Sequence, residues 1–433
     1  MPQAVPILPE YSERFRCIGP ACEDTCCIGW GVPIDQATYE KYQTIPAGPL
    51  RTAIDLNILP APAGADPEKF AKVQLAASQQ CPFLTEDRLC KIQSECGESF
   101  LSTTCATYPR VVHWIDSFKD MTLSLSCPEA ARLVLLSQHL LSPVSPADYH
   151  LDEDDPNAKS SSLMACFWPI RAFVLALIQN RAYPLWQRLF LLGVLCRRLD
   201  AIAAGELQSS VPSLLRDLAA TIESGSLRAS MEALPSDSTK QLDMVLRAAG
   251  LCRERSHTSP RFIECVKAFT QGIGNGPGAT LESLVAHYTA AHEKYYAPFL
   301  SRHPHILENY LINMIFRSLF PYGHDKGKIR ATPKMAEEFA LLVSQFALIK
   351  GLLIGVAGFH QEDFSLDHVI HTVQSASKHF DHHQEFLSQV RALLIETRLN
   401  DARGLSILAR NESPNPTHTG IASEIAYSGD AGR

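Results

Sequence analysis

The feature that most constrains this chain is the placement of its cysteines. Of the 13 cysteines in 433 residues, nine lie between Cys17 and Cys127, and the other four are spread singly through the later sequence. In a reducing compartment, a dense group of cysteines binds metal more often than it forms disulfides. The scattered four are most simply buried apolar residues. The candidate ligands are the eight cysteines in two groups of four: Cys17, Cys22, Cys26 and Cys27, then Cys81, Cys90, Cys96 and Cys105.

The N-terminus favours a reducing compartment, and the apolar and charge patterns argue against a membrane and nucleic acid as partners. The first 17 residues lack a basic region followed by a long apolar run, so they do not resemble a secretory signal. The apolar stretch Phe346–Phe359 contains Lys350 and is shorter than a membrane helix requires. The net charge is −7, without a long Lys and Arg block, which argues against nucleic acid as a partner. We therefore expect a soluble, cytoplasmic protein that binds neither membrane nor nucleic acid.

The spacing of the cysteines leaves the kind of metal open. Thiolates suit an iron–sulfur cluster or zinc, and they argue against magnesium or calcium. Paired Cys-x2-Cys knuckles, which are usual at zinc sites, are absent. Adjacent Cys26 and Cys27 are easier to reconcile with a cluster, or with two neighbouring sites, than with one tetrahedral ion. An iron–sulfur cluster is thus favoured over a zinc ion, and also over a purely structural or disulfide role for the cysteines.

The rest of the sequence predicts a mainly α fold, in which a loop-rich N-terminal cysteine and metal-cluster region packs on a C-terminal α-helical domain. Residues 1–140 are rich in Pro, Gly and Cys, and residues 141–162 contain three prolines and an acidic run typical of a linker or lid. From 163 to 410, apolar residues recur at three- and four-residue spacing, without an alternating strand series. The polar segment 411–433 is predicted to be a disordered tail.

Two further motifs suggest ligand binding but have simpler explanations. The glycine-rich run Gly272–Gly278 resembles a nucleotide loop, but it follows a helical pattern rather than a strand, so we interpret it as a helix end and turn. His368 and His371 have the spacing of two ligands on one helix face. Their polar surroundings favour a solvated helix face.

The chain resembles a known family in three of its segments. The runs CIGPACEDTCCIGW, CPFLTEDRLCKIQSECGESFLSTTCATYPR and HPHILENYLINMIFRSLFPYG are similar to those of the flagellin lysine N-methylases of the FliB type. The resemblance implies methyl transfer from S-adenosylmethionine to lysine ε-amino groups of flagellin, by an enzyme with a 4Fe-4S cluster. The family's cysteine pattern falls on the eight candidates named above. Such a cluster takes about four thiolates, and our first choices are Cys22, Cys26, Cys27 and Cys105.

Methyl transfer to lysine needs a neutral amine, so the site must desolvate the amine or accept its proton. A polar patch on one predicted helix offers Glu308, Tyr310 and Asn313 as candidate catalytic residues. Arg317 on the same helix, with Tyr108 and Arg110 just after the last ligand, could bind the cofactor. The alternative is that the patch is a buried network joining the helical domain to the cysteine domain, and that Arg110 forms a structural salt bridge.

Three hypotheses follow. The first is a protein-lysine N-methyltransferase that depends on a 4Fe-4S cluster, with flagellin as substrate and S-adenosylmethionine as methyl donor. The others are a non-catalytic interaction module stapled by iron–sulfur or zinc, and a redox module. The Cys-x3-Cys-x2-Cys motif of radical S-adenosylmethionine enzymes is absent, because Gly29 occupies the third position. Polar displacement is therefore favoured over a radical route.

Overall fold

The computed structural model describes residues 7–62, 64–115, 117–145, 166–253, 259–325, 327–380 and 384–411. Most of the predicted linker and nearly all of the predicted tail lie outside these ranges. In the described part of the chain, helices predominate and strands are few and short. The prediction of a mainly α fold is therefore confirmed.

The helices are labelled in chain order. They are α1 Gln36–Gln43, α2 Pro49–Asn57, α3 Lys91–Cys96, α4 Thr103–Thr107, α5 Pro128–Leu135, α6 Phe167–Gln179, α7 Leu185–Asp200, α8 Leu207–Ser224, α9 Arg228–Glu232, α10 Ser238–Arg253, α11 Pro260–Gly272, α12 Leu281–Ala291, α13 Ala297–Arg302, α14 His305–Arg317, α15 Met335–His360, α16 Leu366–Phe380, α17 Gln384–Glu396 and α18 Ala402–Ala409.

The strands form three small antiparallel sheets. They are β1 Pro33–Ile34, β2 Ile58–Pro60, β3 Ala71–Val73, β4 Arg110–Ile115, β5 Phe118–Leu123, β6 His324–Asp325 and β7 Lys328–Ile329. One sheet has the order β1-β3-β2, and the other two are the hairpins β4-β5 and β6-β7. The hairpin β4-β5 was not predicted from the sequence.

Helix α15 is the centre of the helical part. Its 26 residues are nearly all apolar, and helices α7, α10, α11, α12, α16 and α18 pack around it. By length and composition it could cross a membrane, but 94% of its apolar window is buried inside the fold. A helix that is hydrophobic all round is expected either in a membrane or in the core of a large protein. The burial of α15 is that of a core helix.

Glycines allow α11 and α15 to approach closely. A Cβ on Gly355 would lie 2.3 Å from a ring carbon of Phe269, and one on Gly272 would lie 1.8 Å from the Gly355 carbonyl oxygen. Helix α11 ends at Gly272, and Gly274 follows in the left-handed region with φ of 70°. The glycine-rich run is therefore a helix end and turn, as predicted, and its first glycine serves packing.

The N-terminal part has a second, smaller core. The sheet β1-β3-β2 and helices α1, α2 and α3 bury ten hydrophobic side chains, from Val32 to Ile92, apart from the helical core. Cys81, Cys90 and Cys96 pack against this small core. The hairpin β4-β5 and helix α5 belong instead to the large core, where they contact α14 and α16.

Candidate metal centre and its supporting contacts

Backbone contacts bring distant cysteines together at the edge of the small core. The Cys81 N–H donates to the Cys27 carbonyl oxygen at 2.8 Å. Cys90 lies immediately before α3, and Cys105 lies within α4. Four of the eight predicted ligands, which come from four separate segments, thus form one group, named here the first thiol set: Cys27, Cys81, Cys90 and Cys105.

Each thiol of the first set lies close enough to every other one for their charges to interact. Burial, and then the charges of the other three thiols, raise the pKa of Cys81 to about 12, against a hydrogen bond from the Phe83 N–H. Burial also raises the pKa of Cys105 to about 11. Four thiolates at this spacing repel one another unless a cation compensates their charge, so the set is suited to a metal.

Cys26 and Cys27, which are adjacent in the sequence, have different neighbours. The Cys26 and Cys27 side chains are hydrogen-bonded to each other, and this hydrogen bond lowers the pKa of Cys27 although burial opposes it. The charge of Cys105 and that of Cys127 both act on Cys26. Cys26 therefore lies between the first thiol set and Cys127.

The other predicted ligands lie outside the first thiol set. Cys17 and Cys22 lie near each other and near Cys127, a residue that the sequence pattern did not include. Cys96 ends α3, and the charge that acts on it is that of Glu95. Of the four first choices, Cys27 and Cys105 belong to the first set, whereas Cys22 and Cys26 lie towards Cys127.

The donor chemistry of the first set is compatible with an iron–sulfur cluster. All four donors are thiols, which are the usual protein ligands of such clusters. Across the described ranges, no three His, Cys, Asp or Glu side chains gather at the spacing of one bound ion. A cluster of several irons holds its thiolates further apart than one zinc ion does. The buried Tyr42 faces the set: burial raises its pKa, and charges on Cys105, Cys90 and Cys81 add to this effect.

Glu308, a predicted catalytic residue, is held by two arginines. Its carboxylate accepts hydrogen bonds from Arg181 at 2.9 and 3.1 Å and from Arg188 at 2.8 Å. Glu308 and Arg188 are both buried. These contacts are those of a structural ion pair rather than of a proton acceptor.

Asn313 joins the helical part to the N-terminal segments. Its Oδ1 accepts hydrogen bonds from Tyr11 at 2.8 Å and from Thr122 at 2.9 Å, while its Nδ2 donates to the Leu123 carbonyl at 3.0 Å. Asn309, one turn earlier, donates to the Val134 carbonyl at 2.9 Å. The buried polar face of α14 thus matches the connecting network that the sequence left as an alternative.

The remaining predicted site residues do not converge on one pocket. Tyr310 is buried in the large core. The Tyr108 hydroxyl lies 3.1 Å from the Ser126 hydroxyl, and Arg110 donates to the Phe15 carbonyl at 3.1 Å. Arg317 lies in the last turn of α14. The catalytic role of Tyr310 and the cofactor-binding roles of Tyr108, Arg110 and Arg317 stay predictions.

The histidine pair and one surface cleft are two further places where a ligand could bind. The His368 ring accepts from the Ser365 N–H, and the His371 ring bonds to the Arg261 carbonyl, so their nitrogens face different partners. A cleft of about 440 Å³, partly open to solvent, lies between α7, α15 and α18. None of the predicted site residues lines it.

Comparisons with known proteins identify the family. Residues 171–408 match the family model described as the FliB lysine N-methylase C-terminal domain. A lysine-N-methylase of Salmonella typhimurium is 25% identical over 403 residues, covering 86% of this chain and 91% of that protein. A lysine-N-methylase of Salmonella choleraesuis is 24% identical over 399 residues, with coverage of 86% and 91%.

A shorter relative shows a higher identity. The flagellar biosynthetic protein FliU of Salmonella muenchen is 35% identical over 128 residues, which are 29% of this chain and 75% of that protein. No solved structure matches the chain. The matched domain spans more than half of the sequence, and the chain belongs to the family of FliB lysine N-methylases, which are methyltransferase enzymes.

Proposed function

We propose that this lysine N-methyltransferase transfers the methyl group of S-adenosylmethionine to lysine ε-amino groups of flagellin, and that it needs a 4Fe-4S cluster bound by the first thiol set. The observation that carries the proposal is the convergence of Cys27, Cys81, Cys90 and Cys105 in a chain whose relatives are lysine-N-methylases. Flagellin is supported by the flagellar relative. The expected location is the cytoplasm.

The proposed reaction is a displacement at the methyl carbon. The neutral lysine amine forms the new N–C bond, the S–C bond of the sulfonium breaks, and S-adenosylhomocysteine leaves with that electron pair. The resulting ammonium then loses a proton. Because free lysine has a pKa near 10.4, the substrate amine must be desolvated or must pass a proton to a base before it reacts.

The four thiols are proposed to hold the cluster at the edge of the small core. When bound, the cluster supplies a site of positive charge that compensates the thiolates and fixes their segments. Tyr42 covers the buried side of the set, so it excludes water there. The contacts of Glu308 with two arginines argue for a positioning role in α14 rather than for proton transfer.

The test is to purify the protein without oxygen and to measure iron, sulfide, visible absorption, binding of S-adenosylmethionine and methylation of flagellin from the same organism. We expect iron and sulfide with a broad visible band, and methyl incorporation into flagellin. Cys81→Ala should lose iron and activity, while the matched variant Cys96→Ala should keep both. Intact cluster without binding of S-adenosylmethionine or methylation would contradict the proposal.

A non-catalytic role for the metal is the competing explanation. In that case the metal centre only stabilises the attachment of the small core to the helical part. The contacts of the helical part through Asn313 are then structural as well. Methylation that persists in a folded Cys81→Ala variant without iron would favour this structural role of the metal. Reversible reduction of the centre without methyl transfer would favour a redox module.

A further inference from the structure

Cys127 is a buried thiol at the start of a helix. It is the residue before α5, and the backbone N–H groups of Ala130 and Glu129 donate to its sulfur. Burial raises the pKa of Cys127 to about 12, and the helix N–H donors oppose that rise. The thiols of Cys22 and Cys17 are its charged neighbours. A buried sulfur with helix N–H donors and two nearby thiols has the surroundings of a metal ligand.

Contacts from the helical part hold the Cys22–Cys27 loop against the start of α5. The Gln374 side-chain amide donates both to the Asp24 carboxylate at 2.7 Å and to the Ser126 carbonyl at 2.9 Å. Arg132 in α5 pairs with Glu23 at 2.8 Å. Residues next to Cys22 and next to Cys127 are therefore bound to common partners, so the approach of these two cysteines is fixed by tertiary structure.

The other buried cysteines provide a contrast. The groups that act on Cys196 are Asp200 and Arg197, and those that act on Cys265 are Thr372 and Ser375. For Cys166, only burial raises the pKa. These three have the surroundings of ordinary core residues, whereas Cys127 has three thiol neighbours in Cys17, Cys22 and Cys26.

From this arrangement we propose that Cys127 joins Cys17, Cys22 and Cys26 in a second thiol set that binds its own iron–sulfur cluster. The two sets divide eight cysteines into four and four, and Cys96 belongs to neither. Cys17 and Cys26 of the second set are exposed, as is Cys105 of the first set, whereas Cys127 is buried. Cys27 of the first set and Cys26 of the second set are adjacent in the sequence.

The experiment counts iron, sulfide and zinc per chain in protein purified without oxygen. Two clusters give about eight irons per chain, whereas one cluster gives about four. Cys127→Ala should remove only the metal bound by the second thiol set. Cys81→Ala should remove only the metal bound by the first set, which is about four irons. Cys96→Ala, the matched control, should remove none.

Cys17→Ala repeats the test at an exposed position, in case Cys127→Ala does not fold. Loss of about four irons from the folded Cys17 variant supports the second site. Metal contents that are equal in the wild type, Cys127→Ala and Cys17→Ala would overturn it. That result would leave the first set intact, because Cys81→Ala reports on the first set separately.

Discussion

The two hydrophobic cores of this protein are closed in different ways. The large core is built from helices around α15, and its apolar surface is covered by other helices. The small core has short strands and helices, and three cysteines lie on its border. Small units with little buried surface usually need disulfides or a metal. On the proposed function, the large core is stabilised by burial alone, whereas the small core also depends on the cluster that its thiols hold.

Of the changes predicted here, metal removal should give the largest difference between the two cores. We expect that chelation opens residues 28–105 and leaves the helices of 166–411 folded, because binding energies on the order of 10 kcal/mol are linked to folding in small metal domains. Hydrogen exchange measured by mass spectrometry checks this by region. Equal loss of protection in both cores would show that the small core is not metal-dependent.

Asn313→Ala should have the next largest effect, since it breaks the link between the two parts. It leaves the buried Tyr11 and Thr122 hydroxyls without their shared acceptor, at a cost of about 2–4 kcal/mol. Urea unfolding measures this cost, and Ser318→Ala near the end of α14 is the control. If the folded variant keeps wild-type kcat, Asn313 is a tether; a loss of kcat without a loss of stability would restore the predicted catalytic role.

Gly355→Ala should weaken the large core by about 2 kcal/mol. The new Cβ would lie 2.3 Å from the Phe269 ring and 2.9 Å from its carbonyl oxygen, and overpacking of this kind costs about 1–3 kcal/mol. Gly276→Ala is the matched control, because no atom lies within 4 Å of the position that its new methyl group would take. Thermal unfolding compares the two. Equal melting temperatures would show that α11 and α15 can move apart freely.

Lys350 should give the large core a modest pH dependence. Burial lowers its pKa to about 7, while the unfolded lysine titrates near 10.4. Between these values the unfolded chain holds the extra proton, so stability rises with pH, by at most about 1.4 kcal/mol per unit. Urea unfolding at pH 7.5 and 8.5 measures the slope. Lys350→Met should lose this contribution, and an unchanged slope would contradict the assignment.

The sequence predicted the helical part better than the contacts of the candidate site. Apolar periodicity located helices such as α6, α7 and α15, because burial of one or all helix faces leaves a local pattern. The partners of Asn313 were not predictable in this way, since Tyr11 lies 302 positions away. Cys127 was missed for a related reason: it lies beyond the regular cysteine spacing and joins Cys17 and Cys22 only through folding.

The division between the cores also has a consequence for biosynthesis. The ten buried residues of the small core lie between Val32 and Ile92, and the first thiol set ends at Cys105. Chains emerge from the ribosome N-terminal end first, so these residues are all available while most of the helical part is unmade. Asn313, which secures Tyr11, and Gln374, which clamps the Cys22–Cys27 loop, are synthesised much later. If the proposed centres are correct, metal insertion at the first set can thus precede the docking that fixes the second set.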